Sequence, residues 1–381
     1  MASSPHRILC VLPSLPERRT GGGIVLYEVM RHLVLRGSVE AVVPVPAHLQ
    51  SDFAEVRRDP LFAGVAWRPL EERRTPGLRG YVSRILGRAP ADVAKFAFEE
   101  NRRTLEARRR EFRPTCELAI SSWALAPYRD FALPPTVRLY MPNVDPLIVP
   151  YYGPSLKRKI ASLVERPKVA RLCRRAVTMA GRVGAISAAD VPELDRMGRR
   201  HDVLHVPPLM PPVPLDRSRA EPFTVLITTN FTYPPNVVSL ERFLAECWPH
   251  VDPRARLTVT GRDEGDRLRK LCDRHPRVTY AGCLDTATLD AAFATAAVAV
   301  NPTCTGSGFQ VKLLDAIARG VPIVSTRFSN RIGPAIPSTD DPRGLAELVN
   351  ERLVPSDETL FDYPDFHRAA VAAWDSFLGI V

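Results

Sequence analysis

The fold is indicated most directly by the segment Asn301-Pro-Thr-Cys-Thr-Gly-Ser-Gly-Phe-Gln-Val-Lys-Leu-Leu-Asp-Ala-Ile-Ala-Arg-Gly320. It continues the short apolar run 298–301, which predicts a strand. Its residues up to Arg319 have helical spacing, and Gly320 is a typical helix stop. A strand, a glycine loop and a helix in this order predict one unit of a parallel α/β sheet.

The glycine loop of this segment has the composition of an anion site. Gly306 and Gly308 let a ligand approach the backbone, and Ser307 is placed to cap the helix. The free N–H groups at a helix start attract phosphate. We therefore expect a phosphate-bearing ligand at this loop.

Charged residues on the same helix extend the prediction. Gly308, Lys312, Asp315 and Arg319 recur every three or four residues, so they share one stripe. An ammonium beside helix amides suits a pyrophosphate, and a carboxylate one turn later suits ribose hydroxyls. The alternative is that Lys312 and Asp315 form an ordinary surface ion pair.

Alternating strands and helices extend in both directions from this segment. The second half predicts strands at 224–228, 255–260, 278–280, 298–301 and 322–325. The first half predicts strands at 7–12, 39–45, 118–122, 137–141, 183–187 and 202–206, and an Arg-rich helical region near 91–112. Prolines crowd residues 207–222, where neither a helix nor a central strand can form.

The organisation that follows is two Rossmann-like domains with parallel sheets facing across a cleft. We assign residues 1–206 to the first domain, 207–222 to a linker and 223–365 to the second domain. The helical pattern 366–381 comes after the second sheet is complete, so we expect it to pack back on the first domain. A chain of 381 residues is long enough for two such cores.

The charge of the chain favours an anionic partner. There are 52 Lys and Arg against 42 Asp and Glu, and residues 57–113 alone hold 15 basic and 8 acidic side chains. A solvated Arg-rich face is the simplest interpretation, and peripheral contact with an anionic membrane surface is a second. We expect no nucleic-acid partner.

Cysteine usage and hydropathy favour a cytoplasmic protein. Seven cysteines are scattered without a C-x-x-C pair, which is typical of a reducing compartment. The apolar run Ile8 to Leu12 ends at Pro13 and is too short for a signal peptide, and no apolar stretch is long enough to span a membrane.

A resemblance to a known family rests on these motifs. Residues 306–325 resemble the donor segment of retaining GT-B glycosyltransferases of family 4, the glycosyl transferases group 1. Residues 230–236, Gly261-Arg262 and Gly282-Cys283 are similar to the loops that this family places near the phosphates and the base. The first half is similar more loosely, through residues 21–23, 143–145 and 187–190.

The resemblance implies a donor-binding second domain and an acceptor-side first domain. The implied donor-binding residues are Gly22, Gly23, Asn230, Arg262, Cys283, Gly306, Ser307, Gly308, Phe309, Lys312 and Asp315. The implied catalytic residues are Lys312, Asn143 and Asp145. For residues 21–23, 143 and 145, ordinary turn roles remain the alternative.

The chain also departs from the family pattern. The family carries two glutamates eight positions apart across this segment, where this chain has Ser307 and Asp315. A serine cannot replace a carboxylate that accepts two hydrogen bonds from a sugar. Pro142 stands where the family has a histidine.

The expected function is transfer of a sugar from a nucleoside diphosphate sugar to a small-molecule, glycan or lipid acceptor. The resemblance implies retention at the anomeric carbon. No D-x-D follows a strand, so we expect neither a metal nor a cofactor besides the sugar donor. The alternatives are a nucleotide-sugar epimerase of the same fold and a non-catalytic nucleotide-binding module.

Overall fold

The structure is a computed structural model that describes residues 6–18, 20–73, 87, 89–148, 156–213, 215–263, 265–305, 309–332, 335–355 and 361–380. The chain divides into two compact units. The first consists of Met1–Leu209 together with Ala370–Val381, and the second consists of Met210–Ala369. Both units are built on a parallel sheet, so the predicted α/β class is confirmed.

The sheet of the first unit has seven described strands in the order β3-β2-β1-β4-β5-β6-β7, all paired in parallel. The strands are β1 His6–Val11, β2 Gly37–Pro44, β3 Ala66–Leu70, β4 Cys116–Ile120, β5 Val137–Met141, β6 Arg182–Ala185 and β7 Leu204–His205. The sequence does not predict β3, because Arg68 and Pro69 interrupt its apolar pattern. Pro69 is tolerated because β3 lies at the edge of the sheet.

Helices connect these strands. They are α1 Gly21–Val34, α2 Gln50–Arg58, α3 Ala91–Ala94, α4 Glu99–Phe112, α5 Asp145–Ile148, α6 Leu156–Met179 and α7 Val191–Gly198. The predicted Arg-rich region near 91–112 is thus two helices, α3 and α4. Several of its arginines form ion pairs, including Arg108 with Glu40 and Arg109 with Glu117. None of the described helices combines the length and apolar content needed to cross a membrane.

The second unit has a five-stranded parallel sheet in the order β10-β9-β8-β11-β12. Its strands are β8 Thr224–Thr228, β9 Arg256–Thr260, β10 Val278–Tyr280, β11 Val298–Asn301 and β12 Ile323–Ser325. Its helices are α8 Pro234–Arg242, α9 Arg267–Cys272, α10 Thr286–Thr295, α11 Val311–Ile317 and α12 Pro342–Asn350. All five strands lie within two residues of their predicted positions.

The last helix, α13 (Tyr363–Leu378), completes the first unit with its residues from Ala370 onward. Trp374 is fully buried there, with its ring centroid 4.5 Å from that of Tyr140 on β5. Its indole N–H donates to the Pro207 carbonyl at 2.9 Å. Asp375 accepts two hydrogen bonds from Arg36 at 2.8 and 2.9 Å. The end of the chain is therefore part of the first unit's core.

Each sheet has one point where the strand order reverses. In the first unit, β1 lies between β2 and β4, so the chain builds outward to one side and then to the other. In the second unit, β8 lies between β9 and β11 in the same way. The loops at the carboxyl ends of such neighbouring strands diverge and leave a crevice where ligands bind in open α/β sheets.

Candidate active site

Lys312 lies at the reversal point of the second sheet. It stands in the first turn of α11, and its ammonium reaches loops that follow β8 and β11. Nζ donates to Thr303 Oγ1 at 2.6 Å, to Thr229 Oγ1 at 3.1 Å and to Asn236 Oδ1 at 3.1 Å. The three hydrogens of the ammonium match three oxygen acceptors. Lys312 thus joins the two loops that border the crevice.

Burial makes this ammonium easy to deprotonate. It lowers the pKa of Lys312 from 10.5 to about 7, because the partners of Nζ are neutral oxygens rather than carboxylates. An anionic ligand in the crevice supplies the missing opposite charge. The site is therefore suited to an anion, whose arrival favours the protonated form.

Hydrogen bonds shape the loop between β8 and α8. Asn230 Oδ1 accepts from the backbone N–H and the hydroxyl of Thr232, at 3.0 and 2.8 Å. Asn236 Nδ2 donates to the Asn230 carbonyl at 2.7 Å, so Asn236 ties this loop to Lys312. The side chain of Asn230, which the sequence predicts to bind the donor, has a structural partner within its own loop.

The loops after β9 and β10 are tied to the same edge of the sheet. Gly261 N–H donates to the Gly282 carbonyl at 2.9 Å, and the Arg262 carbonyl accepts from Phe231 N–H at 2.8 Å. Gly261 has a φ of 142°, and a Cβ there would overlap the Thr229 carbonyl oxygen. Only glycine fits this close approach.

Two predicted donor residues are exposed on these loops. The guanidinium of Arg262 has no hydrogen-bond partner in the described part of the chain, and the thiol of Cys283 is free. Asn230, Arg262, Cys283 and Lys312 therefore all belong to loops or helix starts at the carboxyl edge of one sheet. Arg262 adds a second positive charge there.

Asp315, one turn after Lys312 on α11, is fixed in position by an ion pair. Its Oδ1 forms an ion pair with Arg319, and Arg319 Nε donates to Asp290 Oδ1 at 2.9 Å. Burial raises the pKa of Asp315, although Arg319 opposes this effect. Within the described residues Oδ2 has no hydrogen-bond partner, so it is able to accept a hydroxyl. The alternative of a surface pair between Lys312 and Asp315 is wrong, since each has other partners.

The predicted start of this helix needs a correction. The sequence places Ser307 as its cap, whereas α11 begins at Val311 with Gln310 as the preceding residue. Gln310 has φ −87° and ψ 84°, which is not helical. Gly306, Ser307 and Gly308 lie outside the described residues, and the half-buried Phe309 follows them. Arg319 also falls beyond the end of α11, so the predicted stripe is shorter than the sequence indicates.

The triple glycine of the first unit is likewise not a loop. Gly21 to Gly23 form the first turn of α1, because Thr20 Oγ1 accepts from Gly23 N–H at 3.1 Å and caps the helix. Gly22 is exposed, and a Cβ there would meet nothing within 4 Å. A Cβ on Gly23 would lie 2.5 Å from the carbonyl oxygen of Glu17, so Gly23 is needed for packing.

The two predicted catalytic residues after β5 differ in their surroundings. Asn143 is half-buried in the loop before α5. Asp145 is 1% exposed, and its Oδ2 accepts hydrogen bonds from Ser121 Oγ and Ser122 N–H, each at 2.9 Å. Burial raises its pKa despite these bonds. A carboxyl group enclosed in this way supports the loop after β4, and its geometry does not favour contact with a substrate.

The sequence did not predict the three oxygens that accept hydrogen bonds from Lys312. Thr229 and Thr303 are hydroxyl residues one or two positions beyond the ends of β8 and β11. Polar residues just after neighbouring parallel strands meet at one edge, which is the signal that was available. Asn236 could not be paired with Lys312 from spacing alone, because 76 residues separate them.

Comparison with known proteins gives the context for this site. Residues 222–355 match the model of the family Glycosyl transferases group 1. A search of curated sequences gave no significant match.

Three solved structures share the fold over almost the whole chain. Sucrose-phosphate synthase from Thermosynechococcus elongatus is 14% identical with a TM-score of 0.63, covering 98% of this chain and 94% of its own. WaaG, a glycosyltransferase involved in lipopolysaccharide biosynthesis, is 12% identical with a TM-score of 0.57 and coverage of 98% and 95%. Arabidopsis thaliana UGT89C1 complexed with UDP-L-rhamnose is 12% identical with a TM-score of 0.55 and coverage of 99% of both chains. The chain therefore has the GT-B fold of these glycosyltransferases, and its residues 222–355 match the family Glycosyl transferases group 1.

Proposed function

We propose that this protein transfers a sugar from a nucleoside diphosphate sugar to a small-molecule, glycan or lipid acceptor. The observation that carries the proposal is the ammonium of Lys312 at the β8/β11 crevice, bonded to three neutral oxygens and lacking a carboxylate partner among the described residues. A partly buried cation that has no carboxylate partner in the described part of the chain is suited to receive an anion. A diphosphate is the anion that such a donor brings.

The proposed chemistry is stabilisation of the leaving group. When the bond between the anomeric carbon and the diphosphate breaks, negative charge grows on the departing phosphate. Lys312 exchanges one of its neutral acceptors for a phosphate oxygen and neutralises that charge, and Arg262 adds a second cation at the edge. Because these side chains can supply positive charge, we propose that transfer needs no divalent metal.

Asp315 is proposed to hold the ribose. Its Oδ1 is occupied by Arg319, and its Oδ2 has no partner in the part of the chain that the structure describes. A carboxylate fixed on one side keeps its other oxygen in one place, so a hydroxyl can bind it without ordering a mobile side chain. UGT89C1, solved with UDP-L-rhamnose, offers a precedent for a nucleoside diphosphate sugar in this fold.

Retention at the anomeric carbon is also a proposal, which rests on the group 1 match over residues 222–355. The anomeric proton of the product, followed by NMR from the first turnovers, reports the configuration directly.

The test of the proposed function is a turnover panel. The protein is mixed with UDP-, GDP-, ADP- and dTDP-sugars, with and without mixed glycan, phenolic and lipid acceptors, and released nucleoside diphosphate is measured. Release that depends on an acceptor, and that Lys312→Met reduces strongly while Lys270→Met leaves it unchanged, supports the proposal. Lys270 is exposed on α9 of the same unit. Sugar epimerisation without an acceptor, or nucleotide binding without any turnover, contradicts the proposal.

A further inference from the structure

The first unit contains a cavity at the reversal point of its own sheet. Its volume is about 240 Å³. It is bordered by Leu12 to Ser14 after β1, by Pro46 and Leu49 after β2, and by Trp123 after β4. These are the carboxyl ends of the strands on both sides of the reversal, where an open parallel sheet binds ligands. We call this cavity the switch-point pocket.

The wall of the switch-point pocket is mainly apolar. Leu12 and Phe96 are almost fully buried within the unit, while Leu49 and Trp123 are partly exposed. Ser14 at the rim is exposed to solvent. The pocket therefore opens to solvent and offers carbon surface and one indole to an entering group.

The position of Trp123 is maintained by buried hydrogen bonds. Ser121 adopts a left-handed φ of 64°, and its Oγ accepts from Trp123 N–H at 3.3 Å. Asp145 in turn accepts from Ser121 and Ser122, as described above. A non-glycine residue in this conformation is strained, so several bonds are needed to retain it. Asp145 is thereby a positioning residue for the aromatic wall of the pocket.

The charged side chains along the pocket compensate each other. Lys95 Nζ lies 3.1 Å from Asp92 Oδ1 and 3.7 Å from Glu72 Oε1. Lys95 and Asp92 are the only charged residues that line the pocket among the described residues, and Glu72 is not part of its lining. An anionic or cationic ligand would therefore enter an apolar space without a free counter-ion, which is unfavourable. An uncharged group fits this lining.

The volume limits the size of that group. An apolar cavity of about 150 Å³ accommodates one benzene molecule. The switch-point pocket, at about 240 Å³, is larger by roughly one half. One six-membered ring, or two fused rings, matches this space.

We propose that the switch-point pocket binds an uncharged, mainly apolar ring of the acceptor, of one or two fused rings. The acceptor role of this ligand rests on the proposed function. The binding itself rests only on the pocket of the first unit.

The test uses the full chain and 2-naphthol, which is neutral at pH 7 and has two fused rings. Naphthalene-2-sulfonate has the same rings with a fixed negative charge. Binding of both probes is measured by ligand-observed NMR and calorimetry in the parent and in two variants, Leu49→Trp and Leu35→Trp. Leu49 lines the pocket, whereas Leu35 at the end of α1 is 62% exposed and lies outside it. The two variants thus make the same leucine-to-tryptophan substitution, one in the pocket lining and one outside it.

We expect 2-naphthol to bind the parent and Leu35→Trp equally and at least tenfold more weakly to Leu49→Trp. The sulfonate should bind the parent at least tenfold more weakly than 2-naphthol. Equal 2-naphthol affinity in both variants, no binding to the parent, or sulfonate binding as tight as that of 2-naphthol overturns the inference.

Titration of the same preparations with UDP, GDP, ADP and dTDP separates the two proposals. Nucleotide binding without 2-naphthol binding overturns only the pocket inference. Binding of 2-naphthol with this specificity, together with failure of every nucleotide, supports the pocket and contradicts the proposed function. A cooperative thermal unfolding transition of the first unit that is unchanged from the parent shows that Leu49→Trp is folded.

Discussion

Nucleoside diphosphate binding should weaken about 50-fold between pH 7 and pH 9, because Lys312 must be protonated to receive the diphosphate. The pKa of Lys312 in the free protein is about 7. About half of the free molecules then carry the ammonium at pH 7, and about one in a hundred at pH 9. The bound diphosphate keeps the ammonium protonated over this range. The apparent dissociation constant therefore rises as the protonated fraction falls.

The ligand does not produce this pH dependence. The terminal phosphate of a nucleoside diphosphate loses its last proton near pH 6, so the nucleotide is almost fully ionised from pH 7 upward. Isothermal titration calorimetry at pH 7, 8 and 9 measures the affinity. At pH 8, titrations in two buffers of different ionisation enthalpy should report uptake of about 0.9 proton for each nucleotide bound.

Two substitutions test whether Lys312 causes the pH dependence of the nucleotide affinity. Lys312→Met removes the amine and should abolish both the pH dependence and the proton uptake, whereas Lys270→Met on the exposed face of α9 should retain them. An affinity in the parent that stays constant from pH 7 to pH 9 refutes the reasoning. A pH dependence that persists in Lys312→Met refutes it equally.

The lowered pKa of Lys312 affects folding stability in the opposite direction from nucleotide binding: stability increases as the pH rises. Lys312 is protonated in the unfolded chain up to its ordinary pKa of 10.5, so folding above pH 7 requires loss of that proton. This penalty on stability is largest below pH 7 and decreases as the pH rises from 7 toward 10.5. The difference in unfolding free energy between the parent and Lys312→Met should therefore shift in favour of the parent as the pH rises.

Three further predictions follow from other contacts. Asp315→Asn should raise KM several-fold with little change in kcat, since ribose contacts are similar in the ground and transition states. Asp290→Asn, which alters only the other partner of Arg319, should leave KM unchanged. Trp374→Ala should lower the unfolding free energy of the first unit by about 3–5 kcal/mol in denaturant titrations, whereas Arg368→Ala, on an exposed part of α13, should not. Turnover should be unchanged in excess chelator, because Lys312 can supply positive charge to the diphosphate.

Each of these has a result that would contradict it. A fall in kcat without a change in KM would place Asp315 at the reacting atoms rather than at the ribose. Native unfolding of Trp374→Ala would mean that the terminal helix adds little to the first unit. Activity lost in chelator and restored by manganese or magnesium would assign the diphosphate charge to a metal.

Much of the fold could be predicted from local patterns. Short apolar runs followed by helical spacing located all five strands of the second sheet within two residues. The edge strand β3 was missed, because its sequence Ala66-Trp-Arg-Pro-Leu70 has no continuous apolar run. An edge strand is paired on one side only, so it tolerates polar residues and proline that a central strand would not.

The candidate site was predictable only in its outline. The residues around Lys312 and Asp315 were identified by their order along the chain. Their partners were not, since Thr229 and Asn236 lie 83 and 76 residues away from Lys312. The sequence also could not show that Asp145 is enclosed by two serines, because burial depends on how the loop after β4 folds over the start of α5.

The class of fold, and the segment that we propose to bind the donor, could be predicted from the sequence alone, because both depend on local periodicity and on glycine, proline and charged residues at short spacing. The folded structure was needed to show that Lys312 is bonded to three neutral oxygens, that Asp315 is paired with Arg319, and that an apolar pocket opens at the reversal of the first sheet. A pKa, an ion pair or a cavity depends on atoms brought together from distant parts of the chain. No local pattern of residues encodes that proximity.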